Sequence, residues 1–176
     1  MSKDKVAWGI TGAGAFLREC VDIILSIPKE RIDIFLSKAG EEVLKIYRLW
    51  DSLKGYNLVL DRSASSPSCG FFYSGLYSVL VVAPATSNTV AKMVCGIADT
   101  LITNIFAQAG KAGIPSIVLP TDVDEGLISF SPSGKKITLN RRKVDEDNIS
   151  KLKEMEGVRI AYSLRELKDA LRELGL

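Results

Sequence analysis

The apolar positions of this chain fall into short continuous runs separated by stretches with helical spacing. "KVAWGIT" reads as a buried strand that ends in glycine. "AFLRECVDIILSI" follows, with Phe16, Leu17, Cys20, Val21, Ile24 and Ile27 on one helical face. "RIDIFLS" is a second short strand, and "AGEEVLKIYRLW" a second helix carrying Val43, Tyr47 and Trp50 on one side and acids in its first turn. From Asp51 to Tyr77 the pattern loosens, with one candidate strand, "YNLVL", and the Ser/Pro/Gly-rich "SASSPSCGFFYSG". "SVLVVAP" is the clearest strand in the chain. A long helical region, "TSNTVAKMVCGIADTLITNIFAQAG", comes next with a break near Gly96, and "PSIVLP" is another buried strand. Beyond Pro120, "ITLN" suggests an edge strand, "NRRKVDEDN" an exposed connection and "VRIAYS" a late strand. "SLRELKDALREL" reads as a helix with a capping box, Ser163 with Glu166, and with Leu164, Leu167, Leu171 and Leu174 facing inward.

Continuous apolar strands alternating with helices predict a mainly parallel sheet covered on both faces: α/β, a flavodoxin-like (Rossmann-like) three-layer αβα sandwich, joined by right-handed crossovers. The 176 residues suffice for one domain, 1–176, and no internal repeat or linker divides them. The chain is 47% hydrophobic and 25% charged, with a net charge of +2 and both signs interspersed, which makes no electrostatic case for nucleic acid or a membrane surface. No apolar run approaches the roughly 20 residues of a membrane span, and no leader pattern precedes the first strand, so a cytoplasmic protein is expected. Cys20, Cys69 and Cys95 lie far apart and form no CxxC pair, so no metal site is expected and the thiols read as reduced. Histidine is absent altogether. That removes the commonest general base and the usual catalytic triads, and it points to chemistry carried by a cofactor.

Three strand ends carry loops suited to a phosphate. "GITGAG" allows close approach of backbone to an anion, at the start of a helix with free N–H groups and a positive dipole end. It is an incomplete dinucleotide fingerprint. Leu17 stands where a third glycine is wanted, and Ser37 with Lys38 where an acid would take the ribose hydroxyls of NAD. Ser37 can cap the second helix or donate to a phosphate. In the third loop, Thr86, Ser87, Asn88 and Thr89 offer more polar groups than one N-cap needs, and Lys92 follows one turn later. A tight turn without ligand, or a plain nucleotide-binding module, is the alternative to a mononucleotide site.

The motifs "GITGAG", Ser37, "PATSNT" and "GIADTL" come in the order found in the flavoprotein family of homo-oligomeric flavin-containing cysteine decarboxylases and flavin prenyltransferases, and the chain resembles that family from about Lys5 to Asp122. "WGITGAG", "SPSCGFFYSG" and "IVLPTDV" make it most similar to the archaeal-type FMN proteins called archaeoflavoproteins and to dihydromethanopterin reductases. The resemblance implies an FMN-binding core at about 5–122, followed by an edge strand and helices over 123–176. It implies non-covalent FMN near Thr11, Gly12, Ala13 and Gly14 of the first loop, Ser37 and Lys38 of the second, Pro84, Ala85, Thr86, Ser87, Asn88 and Thr89 of the third, and Thr121. Thr100 stands where the family usually has asparagine. Thr121 replaces an arginine of the prenyltransferases, and "PTDV" replaces the "P-x-M-N" segment of the decarboxylases, which also use a histidine. Prenyl transfer and decarboxylation are therefore not expected.

Two functions remain open. One is an FMN electron carrier that takes electrons from a partner such as ferredoxin and passes them to an acceptor. The other is an FMN-dependent oxidoreductase of a dihydropterin. The family also implies a homo-oligomer, a trimer or a multiple of it. The aromatic run "FFY" in the loose segment suggests a subunit contact completing the site, with Phe72 part of that contact. Trp8 reads as core, and so do Cys20 and Cys95. Asp122, Asp124 and Glu125 read as facing water.

Overall fold

The computed structural model describes residues 5–62, 67–121, 123, 128–130, 134–138, 140 and 142–176. Eight strands and six α-helices succeed one another among them: β1 (Lys5–Ile10), α1 (Leu17–Ser26), β2 (Ile32–Leu36), α2 (Lys38–Ile46), β3 (Asn57–Leu60), β4 (Tyr77–Ala85), α3 (Ser87–Val94), α4 (Leu101–Lys111), β5 (Ser116–Pro120), β6 (Ile128–Phe130), β7 (Lys136–Thr138), α5 (Lys143–Glu154), β8 (Val158–Ile160) and α6 (Leu164–Glu173). Six strands form one sheet in the order β3-β2-β1-β4-β5-β8. Every pairing in it is parallel. The expected three-layer αβα sandwich is therefore what the chain forms. The order in which successive strands are added reverses between β1 and β4, the point in such sheets where ligands bind beyond the strand carboxyl ends.

The strands alternate as sheet geometry requires. Val6, Trp8 and Ile10 of β1 and Val79, Val81 and Ala83 of β4 pack in one layer with α1, Leu44 of α2 and Leu167 of α6. Ala7, Leu80, Val82 and Ala85 face the other layer, with Val90 of α3, Ile105 of α4 and Leu152 of α5. Trp8 is fully buried and donates its indole N–H to the Ala83 carbonyl (2.7 Å), so it is core as the sequence suggested. Cys20 is also fully buried, whereas Cys95 is exposed at the end of α3, contrary to its expected place in the core.

Several boundaries differ from the sequence reading. The second helix does not reach Trp50. It ends at Ile46 in a left-handed cap at Arg48 (φ 58°), where Arg48 N–H bonds the Lys45 carbonyl and Leu49 N–H the Leu44 carbonyl. A non-glycine residue in that conformation leaves no sequence signal. The break at Gly96 is real: its φ is +69°, and α3 and α4 are separate helices. "NRRKVDEDN" is no mere connection. It leads into α5, whose start is held by a two-pronged bond from the Arg142 guanidinium to Asp145 (2.7 Å each), with acids in the first turn and lysines in the last matching the helix dipole. "ITLN" contributes to β7, which pairs antiparallel with β6 in a separate two-stranded sheet rather than edging the main one.

Ser163 caps α6 by accepting from Glu166 N–H, but the Glu166 carboxylate returns to Tyr162 N–H instead of closing the box on Ser163, and Leu174 is exposed. The "FFY" run is split. Phe72 is buried between Phe35 and Tyr77, with ring centroids 6.0 and 4.9 Å away, while Phe71 and Tyr73 are exposed. Phe72 is thus a core residue rather than the subunit contact the sequence suggested. Asp122, Asp124, Glu125 and the side chain of Cys69 lie outside the described residues.

Candidate functional site

Beyond the carboxyl ends of β1, β2, β3 and β4 lies a cavity of about 490 Å³, within the size range of small-molecule sites. Three helices point their N-termini at it. Ser37 is the N-cap of α2, its hydroxyl accepting from Gly40 N–H at 2.9 Å. Thr86 caps α3, accepting from Thr89 N–H at 3.2 Å. Thr100 caps α4 in a reciprocal box with Thr103. The Ser37 and Thr86 caps satisfy one donor each and the Thr100 box two, and the remaining first-turn N–H groups and the positive dipole ends favour an anion. The cavity walls come from these turns: Ser37, Lys38 and Ala39 of the second; Thr86, Asn88, Thr89 and Lys92 of the third; Asp99, Thr100 and Ile102 of the fourth; and Thr11, Gly12 and Asp61 from strand ends.

Small residues bring the turns this close. A Cβ on Gly12 would sit 2.6 Å from the Cβ of Ala39, and one on Gly40 would strike the Ile10 carbonyl oxygen. A Cβ on Gly14 would strike the Tyr47 hydroxyl. The first-loop glycines are therefore demanded by the approach of α2 and its flank to the end of β1, which seats the N-terminus of α2 against the first loop. The Thr11 hydroxyl donates to the Pro84 carbonyl (2.8 Å) and accepts from Thr86 N–H (3.0 Å), tying the first loop to the third. Thr11 lines the cavity, but its hydroxyl is engaged within the chain.

The sequence-derived residues divide accordingly. Thr11, Gly12, Ser37, Lys38, Thr86, Asn88 and Thr89 surround the cavity. Ala13, Gly14, Pro84, Ala85, Ser87 and Thr121 are not in its lining. Ala13 and Ala85 are buried, Pro84 accepts the Thr11 bonds, and Thr121, itself buried, donates from its hydroxyl and its N–H to the Ala85 carbonyl (3.3 and 3.1 Å), joining the ends of β4 and β5.

The structure also adds residues. Lys92 is not simply solvated: it reaches both carboxylate oxygens of Asp99 (2.9 and 2.8 Å) across the cavity wall. The Lys92 ammonium holds the Asp99 carboxyl below its ordinary range. Ile102 supplies an apolar wall, and a Cβ on Gly9 would come within 3.1 Å of it. Asp61, at the end of β3, is only 9% exposed. Its N–H bonds the Leu36 carbonyl, and its carboxylate meets no donor among the described residues. "GIADTL" pointed toward Asp99 and Thr100 only as a motif. Asp61 carries no sequence signal, because it follows a short strand in the loosely patterned stretch from Asp51 to Tyr77.

The family model described as Flavoprotein matches residues 1–171, and the chain belongs to that family. It is 43% identical over 163 residues to the uncharacterized protein MJ0730 of Methanocaldococcus jannaschii, covering 89% of this chain and 88% of that one. A dihydromethanopterin reductase (acceptor) of the same organism is 41% identical over 138 residues, 71% of this chain; the match spans only 56% of the reductase. Among solved structures, Burkholderia xenovorans DmrB in complex with FMN, described as a cubic protein cage for redox transfer, is 41% identical, covers 99% of this chain and 98% of its own, and superposes with a TM-score of 0.88.

Proposed function

We propose that this chain binds FMN in the cavity at the ends of β1 to β4 and serves as an FMN-dependent reductase of a dihydropterin-type substrate. The observation that carries the reading is the convergence of three helix N-termini on one cavity of nucleotide size, in a chain that matches an FMN-bound relative over nearly its whole length. The donor set fits the group. First-turn amides of α2 and the Lys38 ammonium suit the phosphate, Asn88 and Thr89 suit the polar edge of a ring, and Ile102 covers an apolar face.

Bound FMN supplies reducing chemistry that no side chain here offers. The chain's own part is to hold and orient. Ser37 fixes the first turn of α2 so that its free amides face the anion. Thr11 locks the first and third loops into one wall, so that phosphate and ring sites keep a fixed separation. Lys92 and Asp99 close the side toward α4 with a paired charge. We further propose assembly into a homo-oligomer in which a second copy covers the exposed Phe71 and Tyr73.

The relatives named as dihydromethanopterin reductases favour an enzyme over the ferredoxin-fed carrier that the sequence reading placed first. The test is to purify the protein, record its flavin absorption, reduce it anaerobically and add a dihydropterin. Reoxidation of the flavin with formation of the tetrahydropterin is the expected result. Reoxidation by protein acceptors alone would return the carrier reading, and a protein that takes up no flavin would end both.

A further inference from the structure

Asp61 is 91% buried, and no N–H or O–H of the described residues reaches its carboxylate. Its oxygens are not sealed in, since none of the described residues has a side-chain oxygen that is both buried and unpartnered, so the carboxylate opens onto the space beside it, where a ligand's donors can reach it. It lies on the wall shared by two spaces: the 490 Å³ cavity, and an adjoining groove of about 420 Å³ between α2 and the end of β3. Lys38 lines both as well and carries no ion pair among the described residues, so the shared wall offers one cation for a phosphate beside one acceptor. In a sheet of this strand order a carboxylate beside the phosphate loop reads sugar hydroxyls. The end of β2, where that acid normally stands, has Ser37 and Lys38 instead. Asp61 reaches the same region from the next strand.

We propose that Asp61 is the sugar-reading residue of the site, accepting hydrogen bonds from the vicinal hydroxyls of a phosphate-bearing flavin. This rests on the proposal that the cavity binds flavin. The diol has two sources, the ribityl chain of FMN inside the cavity or the ribose of FAD reaching into the groove.

The experiment measures flavin fluorescence quenching on titration of the flavin-free protein with FMN, FAD and 5′-phosphopentyl flavin, which keeps ring and phosphate but has no chain hydroxyls. Wild type is compared with Asp61→Asn, and thermal melting shows that the variant is folded. The substitution is expected to weaken binding of a diol-bearing flavin by about tenfold to a hundredfold, and to leave phosphopentyl flavin unchanged. Loss with FMN assigns the ribityl chain, and loss confined to FAD assigns the ribose. Unchanged or tighter binding of both nucleotides overturns the proposal, tighter binding meaning that Asp61 merely repels the phosphate. Equal loss with the phosphopentyl compound overturns it too, as does loss of wild-type affinity on adding a chelator, which would make Asp61 a cation ligand. A wild-type protein that binds none of the three flavins defeats the flavin reading itself, whereas binding by wild type with an indifferent variant defeats only the role of Asp61.

Discussion

Two nearly buried aspartates on neighbouring strands have opposite surroundings. Asp33 of β2, 2% exposed, accepts from the Lys5 ammonium (2.9 Å), the Asn57 amide (3.0 Å) and the Tyr77 hydroxyl (2.8 Å). It joins β1, β2, β3 and β4 at the amino end of the sheet. Asp61, at the carboxyl end, has no such partners among the described residues and borders open space. One carboxylate is saturated by the chain and belongs to the fold. The other lines the cavity, where a ligand can reach it. The other polar side chains divide in the same way: the Thr11 and Thr121 hydroxyls are spent on carbonyls, while Asn88 and Lys38 line the cavity.

Removing the saturated carboxylate should have the largest effect. Asp33→Ala leaves a lysine, an amide and a phenol without their acceptor and should cost about 3 kcal/mol, the lower end for a broken buried pair because Lys5 is partly exposed. Urea unfolding checks this. Asp61→Ala in the same assay should stay within about 0.5 kcal/mol of wild type, and a loss as large as that of Asp33 would erase the contrast. Tyr77→Phe should cost about 1 kcal/mol and change the alkaline limb. Burial first, then the bond to Asp33 and its charge, push the Tyr77 hydroxyl well above its ordinary value of 10.0. As pH rises past about 10 the unfolded chain releases this proton while the folded chain keeps it. The stability is therefore whole below that pH and declines above it, and Tyr77→Phe should flatten the decline in melting temperature. At the site end, Thr100→Ala removes the cap of α4 and should cost about 1 kcal/mol of stability. The smallest structural effect is expected from Asn88→Ala, which should leave unfolding unchanged and weaken FMN about fivefold in a fluorescence titration.

Much of the framework could be read from the chain because its strands are continuous apolar runs and its helices keep their spacing. β1, β4 and β5 are buried almost throughout, and the αβα layering follows from them. What escaped was decided by tertiary contact. Arg48 ends α2 in a conformation no local residue announces, and α5 is a polar helix resting on a few buried side chains such as Leu152. The site was legible where several small polar residues cluster at a helix start, as in "PATSNT". Asp61 was invisible because a lone acid after a short strand has no pattern, and the unengaged state of its carboxylate is a property of the fold alone. The glycines of "GITGAG" stand out in the sequence, and the fold adds a constraint the sequence does not show: a side chain on Gly12 would meet Ala39 of α2, one on Gly14 the Tyr47 ring and one on Gly9 Ile102.

The N-terminus of α2 and Lys38 are proposed to read the phosphate of a flavin mononucleotide. Titrating the flavin-free protein with FMN and with riboflavin, which differ only in that phosphate, tests this most directly. FMN should bind about a hundredfold or more tighter than riboflavin, with the gap shrinking as salt is raised. Equal affinity for the two, or no binding of either, would contradict the proposal.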